Sequence, residues 1–220
     1  MSYFDSLLYI FPEVAMALGV CTVLGWEIFT RRRRSWESGA LAMGFLAIAA
    51  LLLVQRLDLD AYPAATVFGM VHVDQFATLF KLFVTSAVAV VIGYDLMDRR
   101  RDATGRGEVH FLLLTAVLGS YFLVGSTNLL LVYLGLETLG LSSYALSGMH
   151  KRDRNSAEAA LKYIVYGALA SGILLFGVSL LYGLTGTLEL RHMVGPIQEA
   201  VMEGRGAQVA LPTLLIIVGF

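Results

Sequence analysis

The feature that most constrains this chain is a succession of apolar runs, each long enough to cross a bilayer and each separated from the next by a short polar or basic stretch. Six full runs fall at residues 7–30, 39–54, 74–97, 109–125, 129–148 and 157–184. At about 1.5 Å per helical residue, runs of this length match a hydrocarbon core of about 30 Å. A seventh apolar segment opens at residues 209–220 and is too short to cross alone, so the chain reads as a piece of a longer bundle. The expected fold is an all-α polytopic membrane bundle, six full transmembrane helices plus the start of a seventh.

Composition agrees: 57% of residues are hydrophobic, and the 15% that are charged sit between the runs. A net charge of -1 gives no basic field for nucleic acid. The single cysteine, Cys21, excludes an intrachain disulfide and a cysteine-ligated cluster. No cleavable leader is expected, because the first run is long and no basic region precedes it. The turns after runs one, three and five hold eleven of the sixteen lysines and arginines, among them four arginines at positions 31–34. By the positive-inside rule these turns face the cytoplasm and the N-terminus faces outward.

Between the runs two local elements are expected. Residues 66–73, TVFGMVHV, are rich in β-formers around Gly69 and suit a small hairpin on the membrane surface. Leu190, Val194, Ile197 and Val201 are spaced like the apolar face of a surface helix. His72 is a lone histidine without a ligand-spaced partner, and no metal site is expected. Glu13 sits with Pro12 in the first turns of run one, where a negative charge is tolerated. Glu27 lies four residues before Arg31, the spacing of an end-of-helix ion pair.

Ionisable groups inside the runs are the functional candidates, because they are costly there. Glu137 lies about ten residues, roughly 15 Å, from either end of run five, too deep for its short side chain to reach water. A carboxylate balanced between desolvation and a cationic partner takes up and releases a proton, as a relay needs. Tyr133, Gly140 and Tyr144 share its helical face, which suits a packed interior seam. Lys162 stands one turn after Glu158, an i,i+4 pair near the cytoplasmic end of run six. A desolvated lysine is also a switchable proton carrier, so snorkelling and transport both remain open for Lys162. Lys81, about 10 Å into run three, is read as snorkelling to the headgroups, with a transport role as the other reading. The stretch GALASGILLFG, residues 167–177, marks close helix packing. No dinucleotide fingerprint, phosphate loop, HExxH, cysteine pair or nucleophile elbow occurs, so redox and nucleotide chemistry belong to other chains.

Taken together, LLLVYLGLETLGLSSYALSG, then SAEAALKYIVYGALASGILLFGVSLLYGLTGTLEL, and VHVDQFATLFK before them resemble the antiporter-like subunits of proton-pumping NADH:quinone oxidoreductase, complex I. The likeness is strongest to subunit N, the counterpart of mitochondrial subunit 2. It implies an antiporter-like inverted-repeat fold, here truncated, with three N-terminal helices over 1–107 and the first part of the repeat over 108–220. It implies that Glu137 and Lys162 take part in proton translocation, with Glu158, Tyr144 and Lys81 as auxiliary groups and no metal or cofactor on this chain. A lysine partner for Glu137 is expected beyond the end of the sequence. NADH, FMN, iron–sulfur clusters and quinone are expected on partner subunits. The partners implied are the other membrane-arm subunits, antiporter-like and small, in a bacterial inner (plasma) membrane. A homologous subunit of a cation/proton antiporter or of a membrane-bound hydrogenase is the alternative.

Overall fold

The computed structural model describes residues 9–30, 35–57, 65–98, 106–150 and 153–220. Over these the chain forms α1 (Phe11–Thr30), α2 (Ser35–Gln55), a hairpin of β1 (Ala65–Val67) and β2 (Val71–Val73), then α3 (Gln75–Met97), α4 (Arg106–Val124), α5 (Leu129–Ser147), α6 (Arg154–Thr185), α7 (Leu190–Met202) and α8 (Gly206–Gly219). Helices α1 to α6 are long and apolar enough to cross a membrane. This is the all-α polytopic bundle expected, with each span matched to within a few residues. The 32 residues of α6 extend about 48 Å, well beyond a hydrocarbon core of about 30 Å.

Polar side chains set the boundaries. Asp74 caps α3 by accepting from the Ala77 amide at 2.7 Å, Asn128 caps α5 through Leu130, and Asp153 caps α6 through Asn155. Gly186, at φ 69°, stops α6 in the left-handed conformation that a side chain disfavours.

The first four helices share one apolar core. Ala42, Leu46, Ala49 and Leu53 recur at three- and four-residue intervals on α2 and meet Met16 and Val23 of α1, Ile92 of α3, and Leu114, Val117 and Tyr121 of α4. Large apolar side chains elsewhere, such as Phe29, Phe83 and Leu51, face outward. In water that surface is costly; in lipid it is solvated. Beyond α4 the helices pack in series, α5 on α4, α6 on α5, and α8 on α6.

The hairpin forms as its sequence suggests. Phe68 and Gly69 both take positive φ, 53° and 67°, in a tight turn closed by the Met70 amide donating to the Val67 carbonyl at 3.0 Å. It is no free surface ribbon, however. Val67, Val71 and Val73 are buried against Tyr9, Ile10 and Leu131. The His72 amide donates to the Gly125 carbonyl at 2.6 Å, and Thr127 donates to Met70. Leu129 donates in turn to Leu188, and Leu190 to Thr127. Three extended segments therefore close one end of the bundle.

Two further expectations concern α7 and Glu27. Helix α7 exists, but its buried residues are Met193 and Ala200, while Leu190, Val194 and Val201 are exposed. The apolar spacing located the helix correctly; the face turned to the bundle is the seven-residue stripe of Met193 and Ala200, which the spacing did not mark. The expected Glu27–Arg31 pair involves a residue outside those described; the Glu27 carboxylate itself lies against Gly107 of α4.

Candidate proton-handling site

Glu137 stands half-buried near the middle of α5. The phenols of Tyr133, one turn before it, and Tyr144, two turns after it, lie within its electrostatic reach. Tyr144 is held by α6. Its ring meets Tyr163 edge-on with centroids 4.7 Å apart, and its hydroxyl occupies the space a side chain at Gly167 would need. Gly140 faces the same hydroxyl, 3.1 Å from where a Cβ would stand. Small residues thus make room for a line of polar groups, Tyr133, Glu137, Tyr144 and Tyr163, where α5 meets α6. The neighbouring hydroxyls of Thr138, Ser142 and Ser143 donate back to carbonyls of α5 itself, at 2.7 to 2.9 Å, and so impose no cost in apolar surroundings.

Among the described residues Glu137 has no cation within ion-pair distance. Lys162 does not reach it. Its ammonium donates to Glu158 at 2.5 Å, and both side chains are exposed, at 65% and 55%. The i,i+4 pair is therefore present, and it stands on an uncovered part of α6.

Lys81 departs from the snorkelling expectation. It is 2% exposed, and its ammonium donates to Glu13 Oε1 at 2.5 Å, with Glu13 itself 3% exposed. The route to the headgroups is closed by the α4–α5 turn: a Cβ at Gly125 would stand 3.0 Å from Lys81 Nζ. The Tyr121 ring lies 5.7 Å from the same nitrogen, and its hydroxyl shares a 2.5 Å hydrogen bond with Thr85. Glu13 stands in the first turn of α1, as expected, and is in addition the counter-ion of Lys81.

A third polar cluster lies at the far end of α3. His110 Nε2 stands 3.2 Å from Asp95 Oδ2, and its Nδ1 stands 3.2 Å from Ser38 Oγ, with all three side chains buried. Sequence reasoning passed over this cluster, and it read Glu13 only as a helix-end charge. The available signal was the placement of Asp95 and His110 within apolar runs; pairing them needed the packing of α2, α3 and α4.

Comparison with known proteins places this geometry. Residues 126–220, which hold Glu137 and Lys162, match the family described as "NADH:quinone oxidoreductase/Mrp antiporter, TM". Its relatives include NADH-quinone oxidoreductase subunit N of Anaeromyxobacter sp. strain Fw109-5, 36% identical over 97% of this chain and 41% of the relative. Subunit N of Acidithiobacillus ferrooxidans is 40% identical over 86% of this chain and 39% of its own length. A chain of respiratory complex I from Thermus thermophilus superposes with a TM-score of 0.74 at 28% identity, over 94% of this chain and 42% of that one. A chain of an archaeal membrane-bound sulfane sulfur reductase superposes at 0.81 with 19% identity, over 97% and 44%, which speaks for the fold alone. The resemblance to antiporter-like subunits read from the motifs is thereby borne out. The chain spans about two fifths of the length of these relatives.

Proposed function

We propose that this chain is part of a membrane-arm subunit of a respiratory NADH:quinone oxidoreductase and carries one stretch of its proton-translocation path. The observation that supports it most is Glu137 on α5, bracketed by Tyr133 and Tyr144 where α5 meets α6, inside the family-matched region. A half-buried carboxylate between phenols, in a helix solvated by lipid, suits a group that accepts a proton and passes it on. Lys162 and Glu158 form a second exchange point on α6, and Tyr144 and Lys81 are auxiliary groups. The first three helices, residues 1–107, anchor the repeat that starts at 108. The basic turns face the cytoplasm of a bacterium and the hairpin end faces outward. Redox chemistry, with NADH, FMN, iron–sulfur clusters and quinone, resides on partner subunits.

The test is proton transfer by the intact complex carrying Glu137→Ala. Proton translocation per quinone reduced should fall sharply, and translocation at the native level would end this reading. A second reading, a subunit of a cation/proton antiporter or membrane hydrogenase, draws support from the breadth of the matched family, which spans Mrp antiporters. Copurification separates the two: flavin and iron–sulfur subunits accompany the full-length chain only in the first.

A further inference from the structure

The Glu13–Lys81 pair has features that a simple structural bridge does not need. Both groups are at least 97% buried, yet only one carboxylate oxygen is bonded; Glu13 Oε2 has no hydrogen-bond partner among the described residues. An ion pair in low dielectric recovers its desolvation cost only when its remaining lone pairs are satisfied. The ionic form is therefore under-solvated at Oε2. The buried Arg56 at the end of α2 adds a second cation at the same end of the bundle, within electrostatic range of Tyr121 as Glu13 is. Among the described residues, the Tyr121 ring of α4 lies 5.7 Å from Lys81 Nζ, and a Cβ at Gly125 would stand 3.4 Å from the His72 carbonyl as well as 3.0 Å from that nitrogen.

The location adds the second argument. Tyr121, beside Lys81, lies two residues from Gly119, where α4 crosses α5. A Cβ at Gly119 would stand 2.8 Å from the Leu139 amide nitrogen and 2.9 Å from the Gly135 carbonyl, and Glu137, between these two in sequence, sits on the opposite face of α5. The widths of α4 and α5, about 20 Å together, separate Glu137 from the pair, with packed protein rather than screening solvent between.

We propose that Glu13 and Lys81 form a second protonation site, in which a proton passes from Lys81 Nζ to the Glu13 carboxylate in response to the charge on Glu137. One N–H bond breaks and one O–H bond forms. The ammonium–carboxylate pair becomes an amine–carboxylic acid pair, with no change in net charge and no outside reactant. The first helices would then register the charge state of the α5–α6 line rather than only anchor it. This rests on the functional reading given for Glu137.

Infrared difference spectroscopy of the intact complex, turning over minus resting, tests it. A deuterium-sensitive carboxylic-acid C=O band should be present in the native complex and lost in Glu13→Gln. It should also be lost in the double variant Glu13→Gln/Lys81→Met, which leaves no lone buried charge and so protects assembly. Glu137→Gln should abolish the Glu13-dependent band. A native complex with no band that depends on Glu13 would overturn the proposal and leave a fixed bridge. A Glu13 band that persists in Glu137→Gln would overturn the link across α4. The band is read independently of pumping, so loss of pumping in Glu137→Ala together with no Glu13 band would refute this proposal while sparing the translocation reading.

Discussion

Gly119 of α4 and Gly135 of α5 lie backbone to backbone. A Cβ on either would stand 2.9 Å from the other's carbonyl oxygen, nearer than real Cβ atoms come. This contact, more than any side chain, sets the position of α5 against the four-helix core, because backbone cannot move aside as a flexible side chain can.

Gly119→Ala and Gly135→Ala should therefore each destabilise the folded protein by about 1–3 kcal/mol through overpacking. Gly172→Ala, where nothing lies within 4 Å of the added atom, should be neutral or slightly stabilising because alanine is the better helix former. Thermal unfolding in detergent checks this; equal effects at Gly119 and Gly172 would contradict the crossing.

Lys81→Met alone leaves the buried Glu13 carboxyl without its partner, at a cost of about 3–5 kcal/mol. Adding Glu13→Gln should recover most of that loss, since the double variant carries no charge at the site. The comparison is the fraction of monodisperse protein recovered and its unfolding temperature. Independent, additive losses would mean that the two side chains are not partners.

The Glu158–Lys162 pair is exposed on both sides, so Lys162→Ala should cost no more than about 0.5 kcal/mol where the pair meets water. Any large fall in proton transfer by the complex carrying this variant then reports function rather than folding. Normal assembly with normal translocation would remove Lys162 from the path.

Gly167→Ala should push the Tyr144 ring away from α6, because the new methyl would overlap its hydroxyl. Proton transfer should fall while α5 to α8 stay assembled. Tyr144→Phe should retain the packing against Tyr163 and lose the hydroxyl, so the two variants separate position from chemistry. Native rates in both would exclude Tyr144 from the Glu137 line.

Much of the architecture was legible in the amino-acid order alone. Membrane spans are long, local and apolar, so α1 to α6 could be read to within a few residues, as could the Phe68–Gly69 turn and the i,i+4 spacing of Glu158 and Lys162. The shared face of Tyr133, Glu137 and Tyr144 follows from helical periodicity in the same way. Tertiary structure decided the rest. Glu13 and Lys81 are 68 residues apart, and Ser38 and His110 are 72 apart; no local pattern pairs them. Lys81 looked free to snorkel because its depth is a property of one helix, whereas its confinement comes from Gly125 in the α4–α5 turn. The buried face of α7 was likewise set by what packs on it. Hydrophobic length is written along a single segment, but the partner of a buried charge is chosen by which segments come to lie side by side.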